Sequence, residues 1–212
     1  KDFPLTYDED KLKAAPWYYL DLTTAIMQTG WQYLGNKWYY LRSSGAMVTG
    51  WYQEGSTWYY LDVENGDMKT GWQYLGNNWY YLRSSGAMAT GWYQDGSTWY
   101  YLDNKNGDMK TGWVYVGNRW YYLRSSGAMT TGWYQDGSTW YYLDNKNGDM
   151  KTGWVYVGNR WYYLRSSGAM TTGWYQDGST WYYLDNKNGD MKTGWFQVNG
   201  KWYYAYSSGA LA

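Results

Sequence analysis

The triplet Trp-Tyr-Tyr begins at Trp17, Trp38, Trp58, Trp79, Trp99, Trp120, Trp140, Trp161, Trp181 and Trp202, at spacings that alternate strictly between 21 and 20 residues. A Gly-Trp pair recurs out of phase with it, at Trp31, Trp51, Trp72, Trp92, Trp113, Trp133, Trp154, Trp174 and Trp195. These two positions account for all 19 tryptophans of the 212-residue chain. A fixed short period of this kind restricts the fold to a repeat array, in which each unit buries its apolar face against its neighbours. The alternation makes a 41-residue double repeat.

Each unit reads as a β-hairpin. In "GWQYLGNKWYYL", Gly30 to Leu41, two aromatic-rich runs flank Gly35-Asn36, which is hairpin turn chemistry. With that pair at the turn centre, Leu34 opposes Lys37, Tyr33 opposes Trp38 and Trp31 opposes Tyr40. The "DGST" units fit the same register around Gly96-Ser97 as a type II′ turn, and Asn199-Gly200 fits it as a type I′ turn. Side chains alternate between faces along a strand, so both indoles and the last Tyr of Trp-Tyr-Tyr share one face and the middle Tyr points the other way. A lone hairpin is marginal in water, which makes stacking obligatory.

Two loops join the hairpins: "RSSGAMxT", as at Arg124 to Thr131, and the longer "DNKNGDMKT", as at Asp103 to Thr111. The acidic loop invites a calcium reading, but its third position is Lys105, wrong for an oxygen-ligand loop, and a turn of Asn, Asp and Gly accounts for it better. Residues 1–16 read as a linker or N-terminal extension, 17–29 as a partial cap hairpin, and 30–212 as nine hairpin repeats. Lys1 is not an initiator Met and Ala212 ends mid-pattern, so a segment of a longer protein is expected.

Composition removes whole classes of chemistry. With neither His nor Cys, histidine metal sites, imidazole bases, thiol catalysis and disulfides are excluded. Eighteen basic residues balance 18 acidic ones, so the basic footprint of a nucleic-acid or anionic-membrane binder is absent. No run approaches a membrane span. The carboxylates sit in turns and repeat identically, whereas hydrolysis needs one distinct, tuned pair; no enzymatic activity is expected in this segment.

The choice of aromatics carries the positive signal. A core alone is better filled by Val, Leu, Ile and Phe, yet the chain has 2 Phe against 19 Trp and 30 Tyr. Tryptophan is the best cation–π partner, and aromatic cages hold quaternary ammonium, which has no N–H to donate. Aromatic platforms also stack on sugars. Sugar sites need side-chain hydrogen bonds around the ring, however, and Gln and Asp here alternate between units.

The pattern "TGWxxxGxxWYYLxxxGxMxTGW" resembles the choline-binding repeats of pneumococcal surface proteins and cell-wall hydrolases, over about residues 17 to 212. The resemblance implies an all-β, left-handed β-solenoid of hairpins. It implies non-covalent cell-wall anchoring, through phosphocholine on teichoic and lipoteichoic acids, at the bacterial surface. Similar streptococcal glucan-binding repeats make a carbohydrate-binding array the alternative. In the choline-binding family a site takes two Trp from one hairpin and a Tyr from the next. Carried over, Trp31 and Trp38 go with Tyr60, Trp51 and Trp58 with Tyr81, and Trp72 and Trp79 with Tyr101. Trp92 and Trp99 go with Tyr122, Trp113 and Trp120 with Tyr142, and Trp133 and Trp140 with Tyr163. Trp154 and Trp161 with Tyr183, then Trp174 and Trp181 with Tyr204, complete eight sites. The last Tyr is chosen because the register puts it on the indole face; the middle Tyr is the alternative. Met47, Met68, Met88, Met109, Met129, Met150, Met170 and Met191 either close the cages or fill gaps in the core. The resemblance implies choline or phosphocholine as the ligand, and neither a cofactor nor a metal is expected. Homodimerisation through a terminal hairpin stays open.

Overall fold

The computed structural model describes residues 17–21 and 23–212, and the expected linker at 1–16 lies outside the described residues. Among these the chain is all-β: eighteen five-residue strands, from Gly30–Leu34 to Lys201–Ala205, paired consecutively into two-stranded sheets. Trp31 opposes Tyr40, Tyr33 opposes Trp38 and Leu34 opposes Lys37, the register that the turn residues dictate. Gly35 and Asn36 both take positive φ, 55° and 62°, as a type I′ turn requires. In the Gly-Ser turns only the glycine does, at 58° for Gly55, which fits type II′.

Compactness divides the chain into two units. One runs up to Tyr93 and takes in Leu102–Met109; the other comprises Gln94–Tyr101 and Lys110–Ala212. Within each, loops tie successive hairpins together. The Met of each loop bridges to the Leu that ends the preceding strand, as Leu61 to Met68 and Leu164 to Met170. Its amide donates to the Trp carbonyl of the hairpin before: Met88 to Trp58 and Met170 to Trp140, both at 2.8 Å. Its side chain lies against the next loop's glycine. A Cβ on Gly107, whose φ is +75°, would overlap the sulfur of Met88. The Gly-x-Met spacing thus seats each loop on its neighbour.

The largest fully buried side chains are aliphatic. Leu61, Leu82, Leu102, Leu123, Leu143, Leu164 and Leu184, each following a Trp-Tyr-Tyr, are fully buried. Ion pairs add longer links: Lys37 reaches Asp67 at 3.2 Å, and Arg119 and Arg160 reach Asp149 and Asp190 at 3.8 and 3.7 Å.

The long loops are Asx turns. Oδ1 of Asp144 accepts from the amides of Lys146 and Asn147 at 2.9 and 2.8 Å. These bonds, and then the Lys151 ammonium, hold its carboxyl at about 2 against an ordinary 3.8. Asp62 and Asp185 also lie at about 2, with Lys69 and Lys192 as the larger cause. A lowered folded-state pKa means that the unfolded chain takes up protons first. The contribution is therefore complete above about pH 4 and lost between there and about pH 2. We expect the thermal midpoint to hold above about pH 5 and drop between pH 4 and 2, with a shallower drop in the Asp62→Asn, Asp144→Asn, Asp185→Asn variant. Equal acid sensitivity in both proteins contradicts this account of the loops.

Candidate functional site

Strand alternation puts the two indoles of a hairpin on one face, where the register brings them side by side. Trp51 and Trp58 lie with ring centroids 6.3 Å apart at 84°, Trp133 and Trp140 6.5 Å at 82°, and Trp174 and Trp181 6.4 Å at 84°. Trp31 with Trp38, Trp72 with Trp79 and Trp113 with Trp120 repeat the geometry at 6.5 Å. Perpendicular indoles form two walls of a box.

The third wall comes from the next hairpin, and there the geometry matches the alternative tyrosine that the sequence left open. The phenol that meets the Gly-Trp indole is the middle Tyr of the next hairpin, not the last. Tyr59 lies 4.9 Å from Trp31, Tyr80 4.9 Å from Trp51 and Tyr141 4.9 Å from Trp113. Tyr162 lies 4.7 Å from Trp133, Tyr182 4.8 Å from Trp154 and Tyr203 4.9 Å from Trp174. Tyr60, Tyr81, Tyr122, Tyr142, Tyr163, Tyr183 and Tyr204 instead lean on the Gly-Trp indole of their own hairpin at 4.9–5.3 Å. Tyr101, Tyr142 and Tyr183 are buried, with Tyr142 at 8% exposure, and cannot wall an open cleft. The reason lies in stacking. Hairpins pack front to back, so an indole face meets the reverse face of its successor, and the middle Tyr stands on that reverse face.

Clefts open between these walls. One of about 270 Å³ is lined by Trp51, Trp58, Tyr80, Met88, Lys105 and Asn106. A second of about 270 Å³ is lined by Trp133, Trp140, Tyr162, Met170, Lys187 and Asn188. A third of about 280 Å³ is lined by Trp154, Trp161, Tyr182, Met191 and Ser208. Each volume falls below the usual range for drug-sized ligands, about 300–1,000 Å³, and suits a small head group. Met88, Met170 and Met191 each line a cleft and also lie against the next loop's glycine. Met47 lines a larger cavity of about 370 Å³ with Trp17, Tyr39 and Glu64, at the cap.

The cleft indoles remain open to water. Trp58, Trp140 and Trp161 are 36%, 37% and 43% exposed. Burial, then a hydrogen bond with Tyr40, Tyr122 or Tyr163, pushes Tyr52, Tyr134 and Tyr175 well above the ordinary phenol value. The cleft walls offer a cation the faces of aromatic rings.

The clefts come in two kinds, a difference not expected from the repeat pattern. The Trp31, Trp113 and Trp154 indoles donate to Glu54 Oε2 at 3.1 Å and to Asp136 and Asp177 Oδ2 at 3.0 Å. Trp51, Trp133 and Trp174 face hairpins with Leu75, Val157 and Val198 at the equivalent position. The alternation of "YQD" with "VYV" was the available signal. Among the described residues no cluster of acidic side chains could hold a metal ion, and no helix is long and apolar enough to cross a membrane.

The chain matches the family model described as choline-binding repeat over residues 28–70, 69–112, 110–152 and 151–196, and a cell wall binding repeat over 193–211. It is similar to CbpJ from Streptococcus pneumoniae TIGR4, with 46% identity over 93% of this chain and 94% of that one, at a TM-score of 0.70. Choline binding protein F from Streptococcus pneumoniae, solved with a peptidoglycan analogue, shows 48% identity over 92% and 83%, at 0.74. The modular autolysin LytC of the same organism, solved with a synthetic peptidoglycan ligand, shows 30% identity over 89% of this chain but 43% of its own length, at 0.65. No curated protein matches the sequence.

Proposed function

Because the chain belongs to the choline-binding repeat family, we propose that its clefts bind the choline head groups of teichoic and lipoteichoic acids and so hold it non-covalently on a bacterial cell wall. The observation that carries this is the recurrence of one open box: two perpendicular indoles, a tyrosine 4.7–4.9 Å away from the next hairpin, and a methionine floor. A trimethylammonium group needs such surroundings, with methyl-sized apolar walls and negative ring faces, and no hydrogen-bond acceptor. Three walls at roughly 0.5–2 kcal/mol each, with methyl burial, give about 4 kcal/mol, which is millimolar binding. Many weak sites on one chain, facing a polymer that carries many choline groups, raise avidity by about 10²–10⁴. The segment acts by binding rather than by catalysis.

Titration calorimetry with choline tests the reading and the choice of tyrosine together. We expect several equivalents bound. Tyr162→Ala removes one, while Tyr163→Ala keeps the stoichiometry and lowers stability, because Tyr163 stacks on Tyr175 at 3.9 Å. Retention on dextran without retention on a diethylaminoethyl matrix would favour a glucan-binding array instead.

A further inference from the structure

We propose that the two kinds of cleft read different ends of the same ligand: those rimmed by Lys105 and Lys187 engage the phosphate of phosphocholine, whereas the carboxylate-backed ones recognise only the quaternary ammonium. The inference rests on the choline reading above. Both lysines line a cleft beside a Trp-Trp-Tyr box. Neither forms an ion pair among the described residues, although the nearby Lys69, Lys151 and Lys192 all do. Their backbones are fixed by Asx turns: Lys105 N donates to Asp103 Oδ1 and Lys187 N to Asp185 Oδ1, both at 2.9 Å. An unpaired ammonium on the lining of a cation-binding box opposes a bare cation. It favours a zwitterion whose anionic end emerges from the box.

The other class is built for the opposite charge. In the cleft of Trp154, Trp161 and Tyr182 the rim residue is Ser208, and the Trp154 N–H donates to Asp177 at 3.0 Å. A carboxylate on the indole N–H adds negative potential beside the box and nothing that attracts phosphate. The 41-residue double repeat therefore alternates rim charge along with loop length. Glu64 stands at the lysine position in the first long loop and lines the cap cavity, so that cavity lacks the phosphate contact.

The test uses protein carrying fluorotryptophan, with the ¹⁹F signals of Trp58, Trp140 and Trp161 assigned by substitution and each followed against choline and against phosphocholine. Trp58 and Trp140 are expected to favour phosphocholine over choline about threefold more than Trp161 does, as an exposed ion pair allows. In the Lys105→Gln, Lys187→Gln variant choline binds those two clefts more tightly and phosphocholine more weakly, and the preference falls to that of Trp161. Raising sodium chloride to about 0.5 M narrows the gap in the native protein. Equal preferences at all three signals, or a preference unchanged in the variant, overturn the lysine assignment while leaving choline binding intact. No shift of any signal with choline overturns both.

Discussion

Choline at about 100 mM is expected to raise the thermal midpoint by at least about 15 °C, while sodium chloride at the same concentration leaves it nearly unchanged. A three-walled box has a Kd of about 1 mM, so this concentration is about a hundredfold excess, and each filled cleft adds about 2.7 kcal/mol to the folded state. At this chain length 1 kcal/mol moves the midpoint by about 2–4 °C, so even three filled clefts suffice. Six boxes have all three walls within one unit, those of Trp31, Trp51, Trp113, Trp133, Trp154 and Trp174. The ligand also ties hairpins together, because the indoles and the phenol come from successive repeats. A shift below about 2 °C would mean that the clefts do not take choline.

Leu143→Ala is expected to cost about 2–5 kcal/mol and leave choline stoichiometry intact, whereas Trp140→Ala costs much less and removes one equivalent. Leu143 is 0% exposed, so truncating it leaves a cavity in the buried leucine row. Trp140 is 37% exposed on the flank, and cutting it away removes a wall that water already touches. The two residue types thus divide the work: buried leucines carry the stability and the exposed indoles carry the site. If Trp140→Ala proves the more destabilising variant in chemical denaturation, the aromatics are core and the binding account loses its basis.

Much of this was legible in the sequence. Turn pairs such as Gly35-Asn36 and Gly55-Ser56 fix a hairpin register locally, and the register alone puts Trp31, Trp38 and Tyr40 on one face. Which tyrosine closes a box was not legible, since that depends on how one hairpin lies on the next. Spacing constrains the contents of a face and says nothing of front-to-back stacking, which brings Tyr80 rather than Tyr81 to Trp51. The leucine core was hidden by the aromatics around it, because Leu61 or Leu164 is one residue after a far more conspicuous triplet. The two rim charges were visible as letters, Lys105 and Asp177 among them. Only folding shows that the first faces a cleft and the second an indole N–H.

Crystals grown without ligand and then soaked in choline should show a tetrahedral density in the clefts at Trp51, Trp133 and Trp154, in van der Waals contact with both indoles and with Tyr80, Tyr162 or Tyr182. Clefts that stay closed on protein side chains alone, with choline absent or bound elsewhere, would contradict the choline reading.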